Sequence, residues 1–342
     1  MKISILIPCH NEEKSIEKCV ESCLAQTRKP DQILVVNDGS TDNTAKILES
    51  FGDKIEVVAI EHATGNKSYA QERGLQYITG DIFVATDGDT FLDREFVRLI
   101  EQDFEQNPRL AAVGGYVRSL KYNWLTACRE IDYTFGQDLN KSAQANLSFL
   151  FVIPGCAGAF RTDIFRKYIK FDHDTLTEDL DFTYKLHLNY FKIKYDKKAI
   201  CYTQDPFTLK AYINQMRRWY GGGWQNLMKN FWVIRRPANA LELSLMYIEG
   251  IVFSACLFLL PLINIIYFGY FISGYLAFAV VLGVYSSIRK KRADLFFYSP
   301  LYLVMIFINA WIFLEQLVKE VILGRKNLNW FKPERFSNDT AI

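Results

Sequence analysis

The sequence lacks a charge surplus of either sign, because 40 Lys and Arg residues stand against 38 Asp and Glu residues and leave a net charge of +2. Proteins built to bind nucleic-acid backbones carry a strong basic surplus, so that class is excluded and no nucleic-acid partner is expected. The seven cysteines form no C-x-x-C pair, which argues against a structural zinc site. An odd number of unpatterned cysteines is typical of a reducing compartment.

Two N-terminal signals are also missing. Met1-Lys2 leads directly into the apolar run Ile3–Ile7, which has the length of a strand and not the form of a signal peptide. We therefore expect the first domain to stay in the cytosol. Pro8-Cys9-His10-Asn11 follows this run where a dinucleotide-binding fold would have G-x-G-x-x-G. This absence argues against an NAD-dependent oxidoreductase.

Residues 1–110 alternate between strand-like and helix-like segments, and this alternation predicts an α/β fold, a Rossmann-like sheet with helices on both faces. The predicted strands are Ile3–Pro8, Gln32–Val36, Ile55–Ile60 and Asp81–Ala85, and the predicted helices are Glu12–Gln26, Thr41–Phe51, Lys67–Ile78 and Arg94–Gln106. Ligands of such sheets bind beyond the carboxyl ends of the strands. Asp38 and Asp87-Gly88-Asp89 both follow predicted strands, so we expect their carboxylates at the ligand edge.

Residues 110–235 are less regular. The pattern predicts helices over Trp124–Lys141, Glu178–Asn189 and Leu209–Phe231, strands over Phe149–Ile153 and within Lys192–Tyr202, and a loop over Pro154–Gly158. Gly221-Gly222-Gly223 lies inside the last helix and indicates a hinge or close packing, because glycine is a poor helix former.

The C-terminal part is membrane-like. Gly250–Ile288 has 39 residues without a charge, and one helix of that length would span ~58 Å, about twice a bilayer core, so we predict two crossings. Gly269, Ser273 or Gly274 are the candidates for the turn between them. Leu295–Leu314 is a third stretch of crossing length, and a buried soluble core would not need three. The predicted divisions are a catalytic domain over 1–205, an amphipathic interface region over 206–245, a transmembrane region over 246–318 with spans 248–268, 272–288 and 295–315, and a tail over 319–342.

The charges around these stretches conflict with three crossings. Basic residues prefer the cytosolic side, which places Arg289-Lys290-Lys291-Arg292 there. Three crossings from a cytosolic domain would put the C-terminus outside, yet the tail carries the basic residues Lys319, Arg325, Lys326, Lys332 and Arg335. Three explanations stay open: a re-entrant stretch, an amphipathic segment near Leu241–Ile248 that changes the count, or an exception to the rule.

Three polar motifs suggest chemistry. The carboxylates of Asp87-Gly88-Asp89 suit a hard divalent cation bound to a diphosphate, although a turn that caps the next helix has the same pattern. Glu178-Asp179 opens a predicted helix, either as ordinary N-terminal acids or as a general base for an acceptor hydroxyl. Gln215-Met216-Arg217-Arg218-Trp219 places Gln215, Arg218 and Trp219 on one helical face, for phosphate and sugar binding or for lipid headgroups.

Seven collinear segments over residues 1–235 resemble glycosyltransferase family 2, inverting nucleotide-sugar enzymes with a GT-A fold. They are Ile7-Pro8-Cys9-His10-Asn11-Glu12, Val36-Asn37-Asp38-Gly39-Ser40, Gly65-Asn66-Lys67, Asp87-Gly88-Asp89, Pro154-Gly155-Cys156-Ala157-Gly158-Ala159-Phe160-Arg161, Thr177-Glu178-Asp179 and Gln215-Met216-Arg217-Arg218-Trp219. The last two motifs and the membrane helices resemble the processive branch, which comprises cellulose, chitin, hyaluronan and poly-N-acetylglucosamine synthases. Trp330–Arg335 also resembles the tail of the last group.

The resemblance implies a role for each matched residue. Donor-binding residues would be Pro8, Asn11, Glu12, Asp38, Lys67, Asp87, Gln215 and Arg218, and acceptor-binding residues would be Gly155, Gly158 and Trp219. Asp89 would bind Mg²⁺ or Mn²⁺, which stabilises the leaving UDP. Asp179, with Glu178 beside it in the catalytic motif, would activate the acceptor hydroxyl.

We therefore predict an inverting membrane glycosyltransferase of the plasma membrane, with a cytosolic catalytic domain and a UDP-sugar donor such as UDP-GlcNAc or UDP-Glc. The expected acceptor is a polysaccharide, and the alternative is transfer of one sugar to ceramide, diacylglycerol or polyprenyl phosphate. Two departures from the family matter. Asn37 stands where an Asp is common, so any role of that acid is absent. Many processive synthases have membrane helices before the catalytic domain and we expect none here, which favours the alternative, a homo-oligomer or an accessory membrane subunit. A non-catalytic anchor for a partner synthase would predict a degraded acidic set, and this set is mostly intact.

Overall fold

The computed structural model describes residues 1–146, 149–326, 328 and 336. The tail motif over 330–335, with Lys332 and Arg335, lies outside the described residues. The chain divides into two compact units. Among the described residues, the first contains Met1–Arg118, Lys141–Gln204 and Phe336, and the second contains Ser119–Asn140 and the chain from Asp205 up to Glu334. The sequence-based divisions at residues 205, 245 and 318 stay predictions, and the structure groups Ser119–Asn140 with the chain that follows Gln204.

The first unit is built on an eight-stranded sheet with the order β3-β2-β1-β4-β7-β6-β8-β5. The strands are β1 Ile3–Cys9, β2 Gln32–Asp38, β3 Glu56–Ile60, β4 Ile82–Ala85, β5 Thr90–Leu92, β6 Leu110–Ser119, β7 Gly158–Arg161 and β8 Lys192–Thr203. β1 pairs in parallel with β2 and β4, and β2 pairs in parallel with β3, whereas β7 is antiparallel to both β4 and β6. The predicted α/β fold with a mixed sheet is confirmed.

Five helices of the first unit correspond to predicted ones: α1 Ile16–Leu24, α2 Thr44–Glu49, α3 Lys67–Leu75, α4 Phe96–Gln106 and α8 Glu178–Leu188. The short helices α6 Ser142–Asn146 and α7 Thr162–Ile164 were not predicted, and α5 Trp124–Phe135 belongs to the second unit. In α1 the buried residues Ile16, Cys19, Val20 and Cys23 recur at the spacing of one helical face, which explains why this segment packs as a helix.

The sequence-based prediction for Phe149–Ile153 was wrong, because this segment is not a strand. Phe149 and Ile153 are fully buried. The backbone N–H of Phe151 donates to Gln144 Oε1 at 3.0 Å, and that of Ile153 donates to Thr183 Oγ1 at 2.9 Å. Side chains therefore take the place of a strand ladder. The strand lies later, at β7, and the ten-residue β6 was not predicted.

The helices of the second unit are α5 Trp124–Phe135, α9 Leu209–Lys229, α10 Pro237–Ile263, α11 Ile265–Lys290, α12 Asp294–Tyr298 and α13 Tyr302–Gln316. Three segments, Pro237–Ile263, Ile265–Lys290 and Asp294–Ile322, are long and apolar enough to cross a membrane. Within α9 the three glycines continue the helix, and they permit close packing: a Cβ on Gly221 would lie 3.0 Å from Gln316 Oε1.

The break between the first two apolar helices lies at Asn264, and the predicted turn at Gly269, Ser273 or Gly274 was wrong. Pro261 occupies the last turn of α10 and has no N–H to continue the hydrogen-bond ladder. The side chain of Asn264 then accepts from the N–H groups of Ile266 and Tyr267, at 2.9 and 3.2 Å, and caps α11. A proline followed by a capping asparagine therefore outweighs the later glycines.

Candidate active site

The acidic motifs of the first unit lie at one edge of the sheet. β1 is parallel to β2 on one side and to β4 on the other, so the carboxyl ends of all three strands point the same way. Asp38 is the last residue of β2, and Asp87-Gly88-Asp89 follows β4. The strand order thus brings together the carboxylates that the sequence places far apart.

Asp38 and Asn11 hold the loops of this edge in place. The carboxylate of Asp38 is buried and accepts from Thr64 twice, from the backbone N–H at 2.9 Å and from the hydroxyl at 2.7 Å. Asn11 has a φ of +53°, in the left-handed region. Its N–H donates to Ser40 Oγ, and its Oδ1 accepts from the N–H of Thr41 at 2.7 Å. Both residues therefore connect neighbouring loops.

Glu12 and Pro8 form the inner wall. Pro8 lies in β1 opposite Val36 and is buried. Glu12 is also buried, and its Oε2 accepts from the Ser15 hydroxyl at 2.8 Å. Gly88 packs directly on this wall, since a Cβ there would lie 3.1 Å from Glu12 Cγ. The glycine between the two aspartates is needed for that close approach.

Lys67 joins the two acidic motifs. It is the first residue of α3, whose N-cap is Asn66. Its Nζ lies 2.6 Å from Asp87 Oδ1 and 3.1 Å from Glu178 Oε1. Burial alone would lower the pKa of Lys67, but the carboxylates of Asp87 and Glu178 outweigh that effect and raise it well above its usual value. Lys67 is therefore a charged ammonium group at the meeting point of both motifs.

Asp179 lies in the first turn of α8, beside the same lysine. Its Oδ2 accepts from the N–H of Gly155 at 3.2 Å, and its Oδ1 accepts from the N–H of Leu180 at 2.9 Å. Gly155 fits tightly between the two charged side chains. A Cβ at that position would lie 3.3 Å from Lys67 Nζ and 3.4 Å from Asp179 Cβ.

Gly158 lies in a different environment. It is a buried residue of β7, paired with Ala85 and Gly114, and a Cβ there would lie 2.8 Å from the ring of Phe160. The structure thus places Gly155 among the charged residues and Gly158 in the sheet. The acceptor-binding roles suggested for both glycines stay predictions.

The donor set at Asp87 and Asp89 fits a divalent cation that is shared with a substrate. Asp89 is buried, and its Oδ1 accepts from the Thr90 hydroxyl at 3.1 Å, whereas Asp87 is paired with Lys67. The described residues contain no cluster of three or more His, Cys, Asp or Glu that could form a cage of protein ligands. Mg²⁺ is commonly held by one or two carboxylates together with substrate phosphates and water, and the residues present suit that arrangement.

Sequence reasoning missed Lys141. Burial lowers the pKa of Lys141 to about 8, while Cys156, Asp179 and Cys201 act in the opposite direction. Its ammonium group lies 5.8 Å from the ring centroid of Tyr195. Lys141 ends a predicted helix and belongs to no motif, so the sequence carries no signal that would relate it to Asp179.

In the second unit, Trp219 is stacked on a buried arginine. The guanidinium carbon of Arg129 lies 4.8 Å from the ring centroid of Trp219. Arg129 also contacts Asp132 Oδ2 at 2.7 Å, Tyr133 Oη at 3.0 Å and Asp205 Oδ1 at 3.3 Å. This fixed stacking partner was not predicted, because Arg129 lies 90 residues before Trp219.

The other predicted residues of this motif lie on the same helix. Gln215 and Arg218 both belong to α9. The buried Oε1 of Gln215 has no hydrogen-bond partner within the described part of the chain. Because Gln215, Arg218 and Trp219 belong to the second unit, their roles in donor and acceptor binding stay predictions.

Comparisons with known proteins agree with the sequence-based resemblance. Residues 4–169 match the family model described as glycosyl transferase family 2. A poly-beta-1,6-N-acetyl-D-glucosamine synthase of Staphylococcus epidermidis is 30% identical over 233 residues, which cover 67% of this chain and 56% of the relative. The synthase of the same name from Staphylococcus aureus is 29% identical with the same coverage. The chain thus spans little more than half the length of these curated relatives.

Solved structures share the fold. A mannosyltransferase from Pyrobaculum calidifontis, in complex with GDP-Man and Mn²⁺, aligns with a TM-score of 0.56 and 17% identity, over 91% of this chain and 87% of the other. TarS of S. aureus in complex with UDP-GlcNAc aligns with a TM-score of 0.53 and 17% identity, over 94% and 92%. The expected GT-A fold and the family resemblance are confirmed.

Proposed function

Because residues 4–169 form a glycosyl transferase family 2 domain, we propose that this chain is an inverting membrane glycosyltransferase that transfers a sugar from a UDP-sugar to an acceptor hydroxyl. One observation carries the proposal. Lys67 contacts both Asp87 and Glu178, which brings the carboxylates after β4 and those at the start of α8 to one place. A cation binder and a base are both needed at the reacting centre, and this contact supports their proximity.

Asp179 is the proposed base. The carboxylate takes the proton of the acceptor hydroxyl as that oxygen forms a bond to the anomeric carbon. The bond from the anomeric carbon to the UDP oxygen breaks, and UDP leaves with the electron pair. The N–H groups of Gly155 and Leu180 each contact one carboxylate oxygen and fix the orientation of the side chain.

Asp89 is the proposed protein ligand of Mg²⁺ or Mn²⁺, and Asp87 lies beside it. When bound, such a cation neutralises charge that develops on the leaving diphosphate. The positive charge of Lys67 lies in the same region and serves the same anionic group. Pro8, Asn11, Glu12 and Asp38 shape and hold the edge at which we place the nucleotide, and Gly158 supports it from within the sheet.

The donor and acceptor are proposed from the relatives. The similar staphylococcal proteins are named poly-beta-1,6-N-acetyl-D-glucosamine synthases, and a structural neighbour was solved with UDP-GlcNAc. We therefore assign UDP-GlcNAc as the preferred donor and a growing polysaccharide as the acceptor. Gln215 and Arg218 are assigned to the diphosphate, because a guanidinium group can bind a phosphate through two parallel hydrogen bonds. Trp219 is assigned to the acceptor sugar, because the face of an indole ring can stack on a sugar ring.

The proposed location is the plasma membrane, with the catalytic domain on the cytosolic side. The apolar helices of the second unit support membrane insertion. A UDP-sugar pool in the cytosol requires the family 2 domain to face that compartment. A homo-oligomer or an accessory subunit remains part of the proposal where the product has to cross the bilayer.

The test is a UDP-release assay on the purified protein in lipid, across UDP-sugars and GDP-mannose, followed by sizing of the product. UDP-GlcNAc should give the fastest release, and the product should form a ladder. A single glycosylated lipid would instead establish the lipid-acceptor alternative.

The base is tested by Asp179→Asn, with Asp174→Asn as the matched control at an exposed residue before the same helix. Asp179→Asn should lower kcat by about 10²- to 10⁴-fold, the usual contribution of a general base, and leave UDP-sugar binding intact. Asp174→Asn should resemble the wild type. Loss of donor binding in Asp179→Asn, or equal loss in both variants, would overturn the assignment.

A further inference from the structure

We propose that the third apolar helix does not cross the bilayer but lies on its surface beside α9, in contact with the lipid headgroups. The proposal rests on the membrane location given above. We call α9 and the segment Tyr302–Ile322 the interface pair. In this arrangement α10 and α11 are the only two helices that cross the membrane within the described part of the chain. The evidence lies in contacts of the second unit alone.

The two helices of the interface pair run side by side in the same direction. Tyr212 Oη donates to Asn309 Oδ1 at 2.6 Å near one end. Gln225 Nε2 donates to Glu320 Oε2 at 3.0 Å near the other. The residue numbers rise together over 13 residues of α9, about 20 Å of helix, so the partners remain neighbours along most of their length. One helix cannot enter the bilayer without the other.

Charged groups lie along the seam of the pair and are partly open. Arg217 Nε contacts Glu315 Oε2 at 3.0 Å, and Lys319 Nζ contacts Glu315 Oε1 at 2.5 Å. The side chains of Arg217 and Lys319 are 44% and 49% exposed. Lys319 follows the uncharged stretch Leu295–Leu314, but Arg217 lies within α9 and would have to enter the hydrocarbon region if the pair crossed as a unit, where charge is strongly disfavoured. At the headgroup level the same cations meet water and phosphate.

The first apolar helix contacts the third through aromatic side chains. The ring of Phe313 lies beside Tyr247 and Gly250 of α10, and the ring of Trp311 lies 6.0 Å from that of Phe258. These contacts extend over eleven residues of α10, about 16 Å, and over residues 311–313 of the third helix. Helices that cross steeply give this pattern. If α10 stands across the bilayer, the third helix lies close to its plane.

One end of the α10–α11 hairpin is basic and the other is uncharged and apolar, as expected for a hairpin that crosses a membrane. Arg235 and Arg236 precede α10, and Arg289–Arg292 ends α11, so basic residues mark one end. The closed end around Asn264 is uncharged and has exposed apolar side chains, namely those of Leu262, Ile263, Ile265 and Ile266. Trp232, exposed beside the basic end, stacks with Arg235 at 4.1 Å and is suited to the headgroup layer.

Two crossings also remove the conflict in the charge pattern. The end of the interface pair then lies on the same side as Arg289–Arg292. The basic residues Lys319, Arg325 and Lys326 fall on that side as well, in agreement with the preference of basic residues for the cytosol.

Side-specific labelling tests the arrangement. Leu262→Cys and Lys326→Cys are made separately in a Cys256→Ala background, because Cys256 is the exposed cysteine among the seven. A membrane-impermeant maleimide should label Cys at 262 from outside intact cells and Cys at 326 only in inside-out vesicles. Labelling of both from one side, or of 326 from outside, would overturn the proposal. A reporter fused after Ile342, active only in the cytosol, gives an independent reading of the second position.

A lysine placed in each helix tests depth. Trp311 and Val281 are similarly exposed, at 61% and 63%, and each lies about one turn from the centre of its apolar segment. Val281→Lys should sharply reduce the membrane-inserted fraction, whereas Trp311→Lys should insert as well as Trp311→Leu. Equal loss in both lysine variants would show that the third helix crosses. Neither readout depends on transferase activity, so failure here leaves the proposed function intact.

Discussion

Both units of this molecule contain a cation that lies between carboxylates from distant segments, Lys67 in the first and Arg129 in the second, and the two differ in how far they are exposed. Lys67 lies between Asp87 and Glu178 with 14% of its side chain exposed. Arg129 lies between Asp132 and Asp205 with 1% exposed, covered by aromatic rings that include Trp219. Neighbouring groups raise the pKa of each cation against the opposite effect of burial. We therefore expect Lys67, the more open cation, to exchange a carboxylate for an anionic ligand, and Arg129, the enclosed one, to be a permanent support.

The largest loss of stability is expected for Arg129→Leu, which tests whether Arg129 is a permanent structural support. Removal of the guanidinium leaves Asp132 and Asp205 without their partner, and breaking a buried pair in this way costs about 3–5 kcal/mol. The measurement is the free energy of unfolding in detergent, with Arg129→Lys as the charge-retaining control. Lysine keeps the charge but not the planar fork, so it should recover only part of the loss. A stability change below about 1 kcal/mol would remove the distinction between the two cations.

Lys67→Met tests whether Lys67 exchanges a carboxylate partner for the anionic donor. Lys67 and Asp87 are 14% and 31% exposed, so their pair is more open than that of Arg129 and Asp205, and the loss of stability should be smaller than in Arg129→Leu. Charge-assisted hydrogen bonds contribute about 1.5–3 kcal/mol, so the Kd for UDP-sugar should rise by about 10- to 100-fold. Titration calorimetry and a melting curve give both values on one sample. A large loss of stability without a change in the Kd for UDP-sugar would show that Lys67 is a structural support and not a ligand of the donor.

Gly155 and Gly158 lie three residues apart and distinguish the candidate site from the core of the sheet. Gly155→Ala places a methyl group against Lys67 and Asp179, and it should slow transfer by about 3- to 10-fold, roughly 1 kcal/mol, with little change in stability. Gly158→Ala forces a methyl group into the ring of Phe160 and should cost about 1–3 kcal/mol of stability. Initial rates and unfolding midpoints, measured for both variants, separate the two outcomes. The same profile for both would contradict the placement.

The last prediction is a pH dependence of the stability from Lys141. Its pKa is lowered from 10.5 to about 8 by burial, so the unfolded chain binds more protons than the folded one between these values. Stability should therefore rise as pH increases from 8 to 10.5, and the cost of the buried charge is fully present below pH 8. Lys141→Met should lack this slope. Parallel pH profiles for both proteins would show that Lys141 is not buried as a cation.

The sheet edge could be predicted from sequence because it depends on local signals. Asp38 and Asp87 follow apolar runs, and strand ends meet when the strands are parallel. The contacts of Lys141 and Arg129 could not be predicted, since they depend on tertiary packing between distant segments. Phe149–Ile153 shows a further limit, because an apolar run does not reveal whether its N–H groups will find strands or side chains. The break at Asn264 was not predicted, because glycine residues were given more weight as turn formers than an asparagine that can cap a helix.

The single-residue link at Asn264 has a consequence for assembly with other molecules. In the two-crossing arrangement, the far side of the bilayer receives only this link and the apolar ends of two helices. The side-chain oxygen of Asn264 is already engaged with Ile266 and Tyr267. The exposed side chains of Tyr267 and Tyr270 lie near the start of α11, so their hydroxyl groups are polar groups close to this link. A companion subunit on that side would therefore meet a small, mostly apolar surface, whereas the opposite side carries the arginines.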